Sequence, residues 1–181
     1  ITRKVPQEWG GEIRMDTTIQ ESSKSGDIYQ GNFYLAGPIK NDLLGLQIYG
    51  QATQRDEDDI YNGFRKRNAE SVTAKLALTH ELGAWRSALE VVGVQSKSDV
   101  SDVRNEVNTA GYSLTNLRTS YTWGKVRIDA GVENLFDKLY YLPTGGAYTG
   151  QGMTMGINSI PAGIAVPGAG RSFYASVNYK F

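Results

Sequence analysis

Strict alternation of apolar and polar residues is the feature of this sequence that most constrains its fold. The final residues, GRSFYASVNYKF, place Phe173, Val177 and Phe181 on one side of an extended strand, with Ser176 and Lys180 on the other. Seven earlier segments are also strand-like, although the face assignment of 87–95 is unclear: 12–20, 29–35, 44–49, 71–78, 87–95, 116–123 and 126–133. A period of two is typical of strands, so the sequence predicts about eight strands and no helix.

The connections between these segments alternate in length. Short turns with Gly, Pro or Asn occur at GPIKND, THELGAW and WGK, and the connections between them are one short loop, SSKSGD, and three long loops. In an antiparallel meander, alternate connections lie at the same end, as in outer-membrane barrels with short turns at one rim. The sequence therefore predicts an all-β fold, an antiparallel up-and-down transmembrane β-barrel of about eight strands. The last strand is expected to pair with the first, around Ile13 to Gln20, which would leave no free edge.

Aromatic residues fall at two levels of this predicted barrel. One level coincides with the short turns and the other with the long loops, as expected for membrane-interface girdles. The girdle residues are Trp9, Trp85, Trp123 and Phe181 at the short turns and Tyr112 at the opposite end, where Tyr140 and Tyr141 also fall. A soluble β-barrel or sandwich that binds a small ligand, with these aromatics in its core, is the alternative from this pattern.

Charged residues fall on the faces opposite the apolar ones and are therefore predicted to project into the lumen. They are Glu12, Arg14, Asp16, Lys75, Arg118, Arg127, Asp129 and Glu133. Because an unpaired buried charge is costly, the mixture of signs predicts ion pairs that fill the interior. An interior of eight strands is just wide enough for side chains to fill.

The composition argues against several functional classes. Lys plus Arg (19) equals Asp plus Glu (19), so net charge gives no reason to expect a nucleic-acid partner. The chain has no cysteine, and its single histidine, His80, lies in a predicted turn. A catalytic triad or a histidine-rich metal site is therefore not expected. The sequence predicts no enzymatic activity, no catalytic residues, no cofactor and no metal.

Three loop motifs have a functional and a simpler interpretation. RDEDD, from Arg55 to Asp59, attracts divalent cations in principle, but it lacks the spacing of an EF-hand loop. Arg65, Lys66 and Arg67 are suited to lipopolysaccharide phosphates, or they keep a surface loop soluble. GGAYTGQG, residues 145–152, matches neither glycine-rich phosphate fingerprint. All three are predicted to be solvated outer loops.

The two ends of the chain resemble a known family. GVENLFDKLYY, followed after a long loop by GRSFYASVNYKF, is similar to the C-terminal end of TonB-dependent outer-membrane receptors. ITRKVP, within residues 1–8, resembles their plug-to-barrel link, and GPIKNDLLGLQIYGQATQRDEDDIYNG resembles the early barrel strands of siderophore and colicin receptors. The resemblance implies a location in the bacterial outer membrane, among lipid and lipopolysaccharide. It also implies that Tyr179 and Phe181 belong to a signal read by the barrel-assembly machinery.

The departures from that family define the functional hypotheses. The family has a plug domain and a barrel of 22 strands, whereas this sequence shows no plug and lacks most of the middle strands, with an apparent splice near residues 79–80. The leading interpretation is one barrel domain over residues 1–181, a miniature barrel with a structural role and no active transport. The alternative is the barrel part of a functional ferric-siderophore receptor. By resemblance, Arg104, Tyr140, Tyr141 and Tyr148 would then contact the ferric siderophore. One chain closing alone and several chains sharing a larger barrel both remain open.

Overall fold

In a computed structural model, the described residues form ten β-strands. The structure describes residues 4–21, 25–56, 58–61, 64–66, 69–98, 100, 107–143 and 165–181. The strands are β1 (Gly10–Thr18), β2 (Ile28–Lys40), β3 (Leu44–Arg55), β4 (Asp58–Tyr61), β5 (Phe64–Lys66), β6 (Ala69–Leu82), β7 (Trp85–Val94), β8 (Tyr112–Trp123), β9 (Val126–Glu133) and β10 (Ser172–Tyr179). Among the described residues, no helix is long and apolar enough to cross a bilayer.

Eight of the strands form one antiparallel sheet in the order β1-β2-β3-β6-β7-β8-β9-β10. Every neighbour in this sheet is also the next long strand along the chain, which confirms the predicted all-β, up-and-down class. Two-residue turns after β6 and β8 use Gly83 and Gly124, with φ angles of 58° and 57°. These angles lie in the left-handed region, where glycine has no steric penalty, so the chain reverses tightly at this end.

The two faces of the sheet differ in polarity along its whole width. Leu78, Leu89 and Leu117 lie side by side on one face, which we call the apolar face, through direct cross-strand pairs. The opposite, polar face carries the most buried side chains of the sheet, among them Thr79 and Ser120, which are 2% and 3% exposed. A soluble protein buries its apolar face, so this inverted arrangement fits a sheet whose apolar face meets lipid.

The sheet is open at both edges. β1 pairs only with β2 and β10 only with β9 in the ladders of the described residues, so the predicted pairing of the last strand with the first is not formed. The residues of β10 are exposed on both faces, and so are nearly all residues of β1. Antiparallel closure needs an even number of strands, and eight strands meet that condition. The open edges therefore leave the barrel class intact while leaving its seam unformed.

Two sequence predictions differ locally from the structure. The loop after β3, predicted to be irregular, contains the short antiparallel hairpin of β4 and β5. His80 was predicted in a turn, but it lies in β6, paired with Ser87, because the β6–β7 ladder continues to Leu82 and Trp85. The position predicted for a splice, residues 79–80, lies near the end of this strand, three residues before the turn.

Candidate functional site on the polar face of the sheet

The structure places all eight predicted lumen charges on the polar face of the sheet. Strand alternation and the cross-strand ladders put them on the side of Thr79 and Ser120. They come from four strands: Glu12, Arg14 and Asp16 from β1, Lys75 from β6, Arg118 from β8, and Arg127, Asp129 and Glu133 from β9. Four of them lie on the adjacent strands β8 and β9, three lie on the edge strand β1, and Lys75 lies between these two groups on β6.

Glu90 of β7 is the centre of the largest ion-pair network on this face. Its carboxylate lies 3.1 Å from Lys75 Nζ and 3.9 Å from the Arg118 guanidinium, and it accepts a hydrogen bond of 3.2 Å from Asn116. Arg118 also lies 3.6 Å from Glu133. The Glu90 side chain is 14% exposed and the Glu133 side chain is 54% exposed. Because water solvates the Glu90 carboxylate less, its charge depends more on its ion-pair partners than the charge of Glu133 does.

Sequence reasoning missed Glu90. The segment from Ser87 to Gln95 contains apolar residues at both even and odd positions, because Val92 and Val94 face the polar side with Glu90. The alternation of residue types therefore did not indicate which side chains of this strand lie on the apolar face and which lie on the polar face. The available signal was the turn geometry: the ladder from Trp85 and Leu82 fixes the parity of the whole strand once the two-residue turn is recognised.

A second polar cluster lies at the short-turn end and holds the segment before β1. Arg86 and Glu81 form an ion pair at 2.8 Å, and the backbone N–H of Val5 donates to the other oxygen of Glu81 at 3.4 Å. Val5 is 3% exposed, the most buried apolar residue among those described. The Val5 and Pro6 side chains approach Gly45, where a Cβ atom would lie 2.5 Å from Pro6 Cδ. The segment thus crosses the polar face where β3 has no side chain.

We expect Gly45→Val to displace residues 5–8 from the polar face without unfolding the sheet. The valine side chain would occupy the space that Pro6 and Val5 fill, and displacing a surface segment costs less than moving β3. Hydrogen exchange at the Val5 amide should rise several-fold, while exchange in β3 and β6 changes only next to Thr79, whose Oγ1 would lie 2.9 Å from the new Cβ. Gly10→Val is the matched control, since no atom lies within 4 Å of a Cβ there. Equal protection of Val5 in both variants would contradict this docking.

Asn134 organises the chain after β9 and was not identified from the sequence. It is 3% exposed and has a positive φ of 50°. Its side chain donates to the carbonyls of Lys138 (2.9 Å) and Ala169 (3.3 Å) and accepts from the Lys138 N–H at 2.8 Å. Its own N–H donates to Asn116 Oδ1 at 3.0 Å. The signal in the sequence was Asn134 directly after an alternating strand, because Asn tolerates left-handed backbone and bonds nearby backbone groups.

A third polar cluster occupies the short-turn end of β9 and β10. Arg127 and Asp129 pair at 2.6 Å, and Asn178 of β10 donates to Asp129 at 3.2 Å. A cavity of about 690 Å³ opens here, lined by residues that include Arg86, Lys125 and Lys180. Because Arg86 pairs with Glu81 and Arg127 with Asp129, the excess positive charge of this cavity comes from Lys125 and Lys180, and the β10 edge of the polar face is basic.

The predicted girdle residues divide between the two faces. Trp85 and Trp123 belong to the apolar face and are exposed, and Trp9 packs its ring over Gly37 on that face. Phe181 follows β10 and is fully exposed. Tyr112 differs: alternation along β8 puts it on the polar face, where its ring meets Tyr140 with centroids 4.5 Å apart. Tyr112 is therefore placed for contact with the loop after β9 rather than with lipid.

The predicted ligand-binding residues are only partly described. Tyr140 contacts Tyr112, and Tyr141 forms an isolated bridge with Pro167. Arg104 and Tyr148 lie outside the described residues, as does Gly145–Gly152, so the structure brings no complete ligand set together. Of the basic motif, only the backbone of Arg65 and Lys66 is described, within β5.

No group of three or more His, Cys, Asp or Glu side chains in the described ranges is placed to hold a metal ion. The acidic motif from Arg55 to Asp59 spans the end of β3 and the start of β4, and its residue 57 is outside the description. What the polar face offers chemically is paired charge.

Comparison with known proteins points to one group of relatives. The chain is 37% identical over 111 residues to the iron-regulated outer membrane virulence protein of Vibrio cholerae, which covers 61% of this chain and 17% of the relative. It is 33% identical over 60 residues to a probable TonB-dependent siderophore receptor of Acinetobacter baumannii, and 37% identical over 59 residues to a ferric enterobactin receptor of Pseudomonas aeruginosa. Each of these two matches covers 33% of this chain and 8% of the receptor.

The extent of these matches is limited. The chain spans less than one fifth of the length of the curated relatives it matches. No protein-family model and no solved structure matches it. The comparisons therefore show what the matched part of the chain is similar to, and the activity of a whole receptor does not transfer with the match.

Proposed function

We propose that this chain, part of which is similar to TonB-dependent siderophore receptors, is a bacterial outer-membrane protein that forms a miniature β-barrel with a structural role and no active transport. Its apolar face would contact membrane lipid and its polar face would fill the lumen. No residue is assigned a catalytic role in this proposal.

The ion-pair network around Glu90 is the observation that carries the proposal. It extends from Lys75 on β6 across β7 to Arg118 on β8. The interior of a closed barrel of eight strands is either filled by side chains or holds at most one small ligand. Side chains that pair with one another across three strands would occupy that room, so the lumen would be filled rather than open.

The second candidate is the barrel part of a functional ferric-siderophore receptor. The open edges of the sheet favour it, because a segment of a wider barrel would present free edges at β1 and β10. In that setting Tyr140 and Tyr141, with Arg104 and Tyr148 from the neighbouring loops, would belong to a ferric-siderophore site. The names of the Acinetobacter and Pseudomonas relatives are the reason for naming this ligand class.

The same proposal assigns partners to the ends of the barrel. Trp9, Trp85, Trp123 and Phe181 would anchor the short-turn rim at the membrane interface, where aromatic side chains are enriched. The basic segment around Arg65 and Lys66 would meet lipopolysaccharide phosphates. Tyr179 and Phe181 of the final strand would be contacted by the barrel-assembly machinery during insertion.

Gel mobility and mass of the detergent-folded protein test these proposals. We expect the unboiled protein to migrate faster than the boiled protein, with light scattering giving one chain per particle and planar bilayers showing no steady conductance. Folded outer-membrane barrels keep their structure in cold detergent because all backbone groups are paired within the wall. Saturable binding of ferric siderophore would favour the receptor candidate. Full solubility without detergent would contradict both.

A further inference from the structure

The two free edges of the sheet are complementary in length, direction and charge. β1 has nine residues and β10 has eight, and in the meander they run in opposite directions. From this geometry we propose that β1 and β10 of the same chain join in one defined register, with Glu12 opposite Lys180 on the polar face. This inference rests on the proposed miniature barrel and specifies its seam, which is the ladder between β1 and β10 that closes the barrel.

The ladders fix the level of β10 relative to β1 in the open sheet. One row of direct cross-strand partners runs straight across the sheet: Gly37, Leu46, Leu78, Leu89, Leu117, Val132 and Phe173. Trp9 lies against Gly37 at the start of this row. Without stagger, closure would therefore set Phe173 opposite Trp9, and hardly any of β10 would overlap β1.

Barrel geometry supplies the missing stagger. Eight strands spaced about 4.8 Å apart, rising about 3.3 Å per residue and tilted about 35–45°, close with a stagger of about 8–11 residues. The stagger must be even, because an odd one would turn polar residues of one strand toward the lipid side of the other. A stagger in the opposite sense would leave no residue of β1 opposite β10. The stagger between β1 and β10 is therefore either about eight or about ten residues.

Charge distinguishes the two remaining registers. A stagger of about ten residues places Lys180 opposite Glu12 and Ile13 opposite Tyr179, whereas the shorter one places Lys180 opposite Gly10. Lys180 lines the basic cavity at the β10 edge and, within the described part of the chain, belongs to no ion pair. Glu12 is the carboxylate of β1 that lies nearest the short turns. The longer stagger brings this acidic residue to the basic edge.

The seam occupies the partner positions that both edges leave unsatisfied. An open edge strand exposes a row of unpaired N–H and C=O groups, and in a bilayer each such group costs several kcal/mol. The two edges of one sheet are held close by the chain itself, so pairing within a chain has the advantage of high effective concentration over pairing with a second copy. Closure would also shield Arg14 and Asp16, whose ion pair is exposed in the open sheet.

Disulfide mapping in the folded protein tests the register directly. The chain has no cysteine, so introduced thiols are the only ones. We expect the pairs Thr17→Cys with Ala175→Cys, and Asp16→Cys with Ser176→Cys, to oxidise within one chain. Their yields should be at least several-fold above those of Thr17→Cys combined with Phe173→Cys or Val177→Cys, whose positions are diagonal and too distant for a strain-free bridge. Single-cysteine variants control for collisions between chains.

The outcomes separate failure of the seam from failure of the miniature barrel. A preferred disulfide between Thr17→Cys and Phe173→Cys would overturn the register, and disulfides joining two chains would replace it with a barrel shared by two copies. Absence of any disulfide in protein that still shows the heat-dependent gel shift would overturn the seam alone. Loss of that gel shift in the unmodified protein would remove the miniature barrel itself.

A charge exchange provides a second measurement. Lys180→Glu would place two carboxylates together. It should lower the yield of the disulfide between Thr17→Cys and Ala175→Cys several-fold. Adding Glu12→Lys should restore it. Failure of the second change to rescue the first would contradict the assigned contact between Glu12 and Lys180.

Discussion

Replacing Glu90 by alanine is expected to lower the free energy of unfolding of the folded protein by about 2–4 kcal/mol. The change leaves Lys75 and Arg118 without their shared carboxylate and removes the acceptor of the Asn116 amide. The estimate lies somewhat below the cost for a fully buried pair because Lys75 still reaches solvent. Urea unfolding in detergent, followed by tryptophan fluorescence, gives the value.

Glu133→Ala is the matched control for Glu90. Glu133 contacts the same Arg118 guanidinium at 3.6 Å, but its side chain is 54% exposed. Exposed ion pairs contribute about 0–1 kcal/mol, so this variant should remain close to the unmodified protein. Equal losses in the two variants would show that Glu90 does not have the central role that its contacts indicate. Glu90→Gln should fall between them, because it keeps an acceptor for Asn116.

Replacing Asn134 by alanine is expected to destabilise the protein by about 3–5 kcal/mol. The substitution removes hydrogen bonds to Lys138 and Ala169, and it places an alanine at a φ of 50°. Because Ala169 precedes β10, the loss should reach the final strand as well as the loop. Urea unfolding measures the total, and proteolysis between β9 and β10 reports the local opening.

Asn134→Gly separates the two causes. Glycine adopts the left-handed conformation freely but has no side chain to bond Lys138, so it should recover only the backbone contribution, about 1–2 kcal/mol. Asn134→Asp keeps the acceptor for the Lys138 N–H and loses the donor to Ala169. If glycine were as destabilising as alanine, the left-handed backbone would have no measurable role.

The sequence could predict the strands, their faces and the alternation of short and long connections because each depends on neighbouring residues. Side chains alternate in every strand, so Leu117 and Arg118 must face opposite ways whatever the partner strand is. Gly83 and Gly124 mark reversals that any antiparallel meander needs. These local rules predicted the eight long strands, and they predicted that the eight lumen charges lie on the same face of the sheet. They gave no face for the strand around Glu90, where local periodicity is absent, and they misplaced His80, which lies in β6 rather than in a turn.

The tertiary structure alone decided which polar groups meet. Asn134 bonds Ala169 across 35 positions, and Val5 meets Glu81 across 76. Such contacts depend on the register of several strands in series, and each register adds a choice that local pattern does not make. The same reason explains Tyr112, whose face follows from β8 but whose partner, Tyr140, follows from the loop.

The open edges show the division most clearly. Alternation makes β1 and β10 strands with one apolar and one polar side, and it does so without reference to any other strand. Where each edge lies relative to the other depends on seven ladders added together, from β1 to β10. The sequence by itself therefore determined that this chain forms a β-sheet with one apolar face and one polar face. The accumulated registers, a property of the folded sheet, decided how far apart its two ends lie.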